Sequence, residues 1–142
     1  MINIYQPSLG KEELKAIEKV FKSNWLGKGP KTEEFTLEFS KKLNTSPQNL
    51  LTISSCTEGL FQSVDLYINK GDEVILPSIS FIGAANAIVA KKGIPIFCDV
   101  NPRTLNVGVE HIEEKITSKT KAVIIVHYAG VPCDIENISK LC

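Results

Sequence analysis

Apolar and polar positions along this chain follow two alternating periods. Over residues 11–23, Leu14, Ile17, Val20 and Phe21 recur three and four apart, the spacing of a single helix face. Gly27-Lys28-Gly29-Pro30 breaks that pattern. Pro30 then suits the first position of a second helix, where its missing N–H would have had no acceptor anyway. That helix places Phe35, Phe39 and Leu43 on one stripe. Ser46-Pro47-Gln48-Asn49 reads as a turn, and 50–53 as a short strand. Residues 54–58 lead into a helix holding Leu60, Phe61, Val64 and Tyr67, which Lys70-Gly71-Asp72 ends.

The rest alternates strictly. The pattern predicts a strand at 73–76 stopped by Pro77, a helix of small residues at 81–90 ended by Lys91-Lys92-Gly93, and a strand at 94–98. A turn at Asn101-Pro102-Arg103-Thr104, a helix at 109–116 and an aliphatic strand at 121–126 follow. A last helix, capped by Asp134, runs over 134–141 and reads as cut off by the end of the chain. Strands that are aliphatic throughout and separated by helices imply an α/β fold, a mostly parallel sheet with helices on both faces. No internal repeat, low-complexity tract or linker divides the 142 residues.

Composition narrows the function classes. Sixteen basic residues balance sixteen acidic ones, which gives no electrostatic footprint for nucleic acid or an anionic membrane. The longest apolar runs, near 84–90 and 122–126, are too short to span a bilayer. Met1-Ile2-Asn3-Ile4-Tyr5-Gln6-Pro7 has no basic segment and no long apolar core, so it does not read as a signal peptide. Cysteines stand at 56, 98, 133 and 142 without a CxxC pair. His127 and Cys133 cannot complete a metal site alone, so no metal is expected. Reduced thiols and a cytoplasmic location fit this usage.

Three segments carry candidate chemistry. Ser54-Ser55-Cys56-Thr57-Glu58-Gly59-Leu60 sits at a strand-to-helix turn, where free N–H groups and the helix dipole favour an anion. Ser55 and Thr57 add hydroxyl donors, and a phosphate suits so many donors better than a carboxylate. A plain helix cap is the alternative, and no Walker loop is present. Phe81 follows a strand end, on the edge of a parallel sheet where ligands bind. It is either a ring that stacks on an aromatic cofactor or a core residue. His127, in Val126-His127-Tyr128-Ala129-Gly130, also follows a strand end and is either a hydrogen-bond donor to a ligand or a structural histidine. Asp72-Glu73 and Glu113-Glu114 read as solvated positions, because neighbours in sequence do not converge on one substrate.

Taken in order, these segments resemble the DegT/DnrJ/EryC1/StrS sugar aminotransferases, a branch of the aspartate-aminotransferase-like, fold type I enzymes. The resemblance rests on Trp25-Leu26-Gly27 with Gly29-Pro30, Ser54 to Leu60, Gly71-Asp72-Glu73-Val74-Ile75-Leu76-Pro77-Ser78, Pro95 to Val100, Thr104-Leu105-Asn106, Thr120-Lys121-Ala122-Val123, and Val126 to Gly130. It implies pyridoxal phosphate as cofactor, with Ser55, Cys56, Thr57 and Glu58 at its phosphate and Phe81 on its ring. It implies a nucleotide-linked keto-sugar as substrate, near Trp25, Leu26, Gly29 and His127, and a glutamate-type amino donor. A homodimer and a place in polysaccharide or secondary-product biosynthesis come with it. Asp99 is expected to support rather than react.

Two positions depart from the family pattern. Cys56 stands where glycine is usual, which narrows the approach of backbone to phosphate unless Cys56 keeps a negative φ. Glu58 is larger and more acidic than the usual small residue; it suits the helix dipole but repels a phosphate. The family's Schiff-base lysine and the aspartate that pairs with the pyridinium nitrogen have no counterpart here. The chain therefore reads as the N-terminal segment and first half of the cofactor-binding large domain, expected to be inactive alone, with an incomplete sheet that leaves an apolar edge. A non-catalytic α/β module that binds a phosphorylated ligand or a partner subunit, or part of a related sugar dehydratase, are the alternatives.

Overall fold

The computed structural model describes residues 6–142; the N-terminal stretch read above for a leader lies largely outside them. Contacts divide the chain into two compact units, 1–52 and 53–142. The joint falls inside the apolar run 50–53, with no glycine- or proline-rich linker to mark it.

The first unit holds α1 (Lys11–Lys22), α2 (Pro30–Lys42) and a 3-10 turn at Pro47–Asn49. α1 begins with Glu12 and Glu13 and ends with Lys19 and Lys22, which complements its dipole. Glu13 Oε2 also accepts the Gly10 N–H at 2.7 Å. The expected apolar stripe forms, yet Leu14, Ile17 and Phe21 are exposed and no residue of α1 is buried. α2 opens on Pro30 as expected, and the Phe35 and Phe39 rings stack with centroids 5.5 Å apart. The strand expected at 50–53 does not form. Leu50 is extended (φ −114°, ψ 129°), but no ladder partner exists for this run among the described residues. Apolar, β-favouring residues extend the backbone; a strand needs a neighbour as well.

The second unit is a three-stranded parallel sheet in the order β2-β1-β3, formed by β1 (Glu73–Pro77), β2 (Ile94–Cys98) and β3 (Thr120–Val123). Around it lie α3 (Cys56–Tyr67), α4 (Gly83–Ala90), α5 (Val109–Glu113) and α6 (Ile135–Leu141). β1 is central, and its Val74, Ile75 and Leu76 are fully buried, as expected of a parallel strand covered on both faces. Val74 and Leu76 pack with Val64 and Ile68 and with Ala84, Ala87 and Ile88 of α4. Ile75 faces the other way, into Cys98, Val107, Ile112, Cys133 and Ile138. Helices thus cover both faces, and the α/β expectation holds.

Boundaries moved where local chemistry intervened. α4 starts at Gly83 rather than 81, because 78–81 remain a loop with the Ser80 hydroxyl turned back to Pro77 O at 3.3 Å. β3 ends at Val123 rather than 126. Ile124 N–H still donates to Ile75 O at 2.8 Å, but the next bond of the parallel ladder would need an N–H on Pro77, which has none. α5 stops at Glu113, and its last turn tightens as Lys115 N–H donates to Ile112 O at 2.9 Å.

Candidate functional site

The turn into α3 is built around its N-cap, Ser55. Its backbone is extended (φ −156°, ψ 155°), and its hydroxyl oxygen accepts the Glu58 N–H at 3.1 Å. Gly59 N–H donates to Ser55 O at 3.3 Å. The two remaining N–H groups of the first turn, on Cys56 and Thr57, meet no acceptor among the described residues. They are the free donors that the helix start was expected to offer. Cys56 lies within the helix and is not among the positive-φ residues, so its replacement of glycine carries no backbone strain. Gly59 is where space decides: a Cβ there would come within 2.6 Å of Ile53 Cδ1.

Glu58 does not reach over those donors. Its carboxylate folds back to accept from the Ser54 hydroxyl at 2.6 Å, the Ser54 N–H at 3.1 Å and the Gln62 amide at 3.1 Å. The Ser54 hydroxyl foremost, then the Ser54 N–H, holds its pKa below the usual carboxylate value, so the group stays ionised. A fixed negative charge beside the turn weakens its hold on an anion, but the N–H groups remain open.

Phe81 is brought to this turn through Gly83. A Cβ on Gly83 would lie 2.7 Å from Phe81 Cε1 and 3.5 Å from Thr57 Cγ2. Phe81 and Thr57 therefore flank the same small residue. Phe81 is 68% exposed, which removes the reading of it as a core residue.

His127 lies past the end of β3, on the sheet edge that also carries Phe81. Its side chain is exposed, and its Nδ1 accepts the Cys133 N–H at 3.0 Å. The Cys133 thiol donates to Val126 O at 3.1 Å. Sequence reasoning gave Asn106 a place in a motif but no role. The structure buries it to 5% exposure and uses both ends of its amide: Oδ1 accepts the Tyr128 N–H at 2.9 Å, and Nδ2 donates to Val131 O at 2.8 Å. The only signal in the sequence was a polar residue leading into the apolar Val107. Asp134 caps α6, accepting the Asn137 N–H at 3.3 Å. Asp99 is exposed and accepts the Val100 N–H at 2.8 Å, a backbone role. Burial pushes the Cys98 and Cys133 thiols up, and all four cysteines are free.

Trp25, Leu26 and Gly29 belong to the first unit. The Trp25 indole N–H donates to Lys28 O at 3.0 Å, and its ring covers Gly29 so closely that a Cβ there would overlap it. Trp25 and Leu26 are exposed. A groove of about 450 Å³ between α3 and α4, lined by Phe61, Leu66, Ala87 and others, contains none of the candidate residues. Its polar groups, Gln62 and the Asp65–Lys91 ion pair, do not converge on a ligand, so the exposed turn is the better candidate. Lys119 and Lys121 stand at the start of β3, the opposite end from Phe81 and His127. Among the described residues no cluster of His, Cys, Asp or Glu could hold a metal ion, and no helix is long and apolar enough to cross a membrane.

The turn thus offers two open N–H groups, the Thr57 hydroxyl and an aromatic face to one side, a combination suited to the phosphate ester of a flat ring. The family model for the DegT/DnrJ/EryC1/StrS aminotransferase family matches residues 7–142. The chain belongs to this family. Among its family relatives is dTDP-4-dehydro-2,3,6-trideoxy-D-glucose 4-aminotransferase of Saccharopolyspora spinosa. The two are 48% identical over 143 residues, covering 100% of this chain and 37% of the relative. The aminotransferase TlmJ from Streptoalloteichus hindustanus superposes with a TM-score of 0.94 at 50% identity, over 100% of this chain and 39% of that one. NtdA from Bacillus subtilis, solved with the cofactor PMP bound, gives a TM-score of 0.78 at 34% identity, over 90% of this chain and 29% of that one. The chain therefore spans less than half the length of these relatives.

Proposed function

We propose that this chain is the phosphate-holding part of a pyridoxal-phosphate-dependent aminotransferase acting on a nucleotide-linked keto-sugar, with a glutamate-type amino donor. The observation that carries the reading is the pair of open N–H groups on Cys56 and Thr57, flanked through Gly83 by the exposed Phe81 ring. The family, the relative named for a dTDP-linked sugar and the neighbour solved with PMP support it.

The residues fit the cofactor. The Cys56 and Thr57 N–H groups and the Thr57 hydroxyl would hold its phosphate, with the positive end of the α3 dipole behind them. Ser55 keeps its lone pair on the Glu58 N–H and has its hydroxyl proton left to donate. Glu58 holds Ser54 and shapes the turn. Phe81 would cover one face of the ring, orienting it and excluding water. Bound there, pyridoxal phosphate supplies the electron sink of amino transfer. In the neutral form of His127, Nε2 carries the proton, because Nδ1 is already an acceptor. It would donate to an oxygen of cofactor or substrate. Trp25, Leu26 and Gly29 would contact the sugar nucleotide. No residue of this chain is assigned the lysine's or the pyridinium-pairing aspartate's role. The working form in this reading is a cytoplasmic homodimer, and the exposed stripe Leu14, Ile17 and Phe21 supports association.

Titration with pyridoxal phosphate, followed by borohydride reduction and peptide mapping, tests the proposal. It predicts saturable binding that pyridoxal without its phosphate does not reproduce, and no lysine reduced in stoichiometric yield. Equal binding of pyridoxal, or a stoichiometric adduct at one lysine of this chain, would overturn it.

A further inference from the structure

We propose that Asn106 is a positioning residue that fixes the loop after β3 so that His127 presents Nε2–H as a preformed donor to the ligand held by Thr57 and Phe81. The inference rests on the cofactor reading above for the identity of that ligand, and on the structure for the device itself.

The loop needs an outside anchor. At its corner Ala129 has φ 51° and Gly130 has φ 81°, both in the left-handed region, which alanine adopts at a cost. Asn106 bridges that corner from the side: Oδ1 takes the Tyr128 N–H before it, and Nδ2 gives to Val131 O beyond it. An amide does both jobs with one side chain. A carboxylate could not donate, and an aliphatic residue could do neither. Asn106 is itself held, its N–H donating to Thr104 Oγ1 at 3.3 Å and its carbonyl accepting the Asn101 N–H at 2.9 Å. A continuous set of hydrogen bonds therefore runs from the turn after β2 to the turn after β3.

Fixing Tyr128 and Val131 fixes what lies on either side. Cys133 N–H reaches back to His127 Nδ1, while the Cys133 thiol ties to Val126 O. The imidazole acceptor is thus used internally, and the single proton of the neutral ring is placed on Nε2. The side chain is exposed, so this N–H is available to an oxygen of a ligand. Such a donor needs no reorganisation when the ligand arrives.

The test is the long-range ¹H–¹⁵N spectrum of the histidine rings in the 142-residue chain. There are two histidines, and His111 serves as an internal reference because its Nδ1 likewise accepts a backbone N–H, from Gly108 at 2.9 Å. Expected in the unmodified chain is a His127 ring protonated on Nε2 and bare on Nδ1. In Asn106→Ala the His127 ring becomes a mixture of tautomers and the Cys133 amide exchanges about tenfold faster or more, with His111 unchanged. Asn106→Asp, which keeps the Tyr128 bond and loses the Val131 bond, falls between the two. A His127 protonated on Nδ1 in the unmodified chain overturns the proposal, as does an unchanged His127 in a folded Asn106→Ala. If Asn106→Ala does not fold, the unmodified chain and Asn106→Asp decide. Addition of pyridoxal phosphate separates this proposal from the cofactor reading. Shifts at the Cys56 and Thr57 amides together with His127 Nε2 support both. Shifts at the amides with a silent His127 overturn the positioning role and leave the cofactor reading standing. Silence at the amides overturns the cofactor reading, and with it the ligand assigned to His127.

Discussion

Gly83→Ala separates ligand binding from stability at the proposed site. The new Cβ would lie 2.7 Å from Phe81 Cε1 and 2.9 Å from Phe81 Cδ1, well inside contact distance, while Thr57 Cγ2 at 3.5 Å is in ordinary contact. The overlap is with the end of a flexible, 68% exposed side chain, so the ring swings aside and the helix stays in place. Alanine at the start of α4 gains about 0.5–1 kcal/mol over glycine in a helix. Forcing the ring off its rotamer costs about 0.5–1.5 kcal/mol. The two nearly cancel, and the melting temperature should move by no more than about 4 °C. Binding does not cancel. Loss of ring stacking, about 0.5–1.5 kcal/mol, weakens pyridoxal phosphate roughly 2- to 13-fold. Thermal melts and fluorescence titrations on Gly83→Ala, with Phe81→Ala beside it, give both quantities. If both variants bind as tightly as the unmodified chain, Phe81 does not cover the ring. If Gly83→Ala loses more than about 10 °C, the backbone and not the ring has yielded.

Other consequences can be measured on the same chain. Thr57→Val removes a hydroxyl offered to a charged group and should weaken pyridoxal phosphate about tenfold or more, read by the same titration. Glu58→Gln removes a fixed negative charge beside the turn, so it should bind the phosphate a few-fold more tightly at low salt, with the gain shrinking as salt screens it. Because the folded carboxyl of Glu58 is held below its ordinary value, its contribution to stability is full above that value and is lost as pH falls through the folded pKa. The melting gap between Glu58→Gln and the unmodified chain should therefore close on acidification. Trp25 is the sole tryptophan, so a dTDP-linked sugar contacting it should change the intrinsic fluorescence saturably; an unchanged signal with ligand bound would remove Trp25 from the substrate site.

Period and composition carried the sheet well. The aliphatic runs at 73–76 and 94–98 became β1 and β2, and Pro30 opened α2 as its missing N–H suggested. The failures share a cause: they needed a partner that local sequence does not encode. Residues 50–53 look like a strand but have no ladder partner among the described residues, and β3 was shortened by a proline on another strand. The division near residue 52 was invisible because an apolar run crosses it. At the site, the Ser55 cap and the open N–H groups followed from the turn itself, since helix starts always leave such donors. The contact of Phe81 with Gly83 could not be read, because it depends on where the loop after β1 places the ring. Asn106 was hidden for a similar reason: its partners Tyr128 and Val131 lie 22 and 25 residues away.

The start of α3 is proposed to hold the phosphate of pyridoxal phosphate. Amide ¹H–¹⁵N spectra recorded during titration test it most directly. Saturable shifts are expected at Cys56 and Thr57, reproduced weakly by inorganic phosphate and not by pyridoxal. Shifts centred elsewhere, such as the α3–α4 groove at Phe61 and Ala87, or none at saturating ligand, would contradict it.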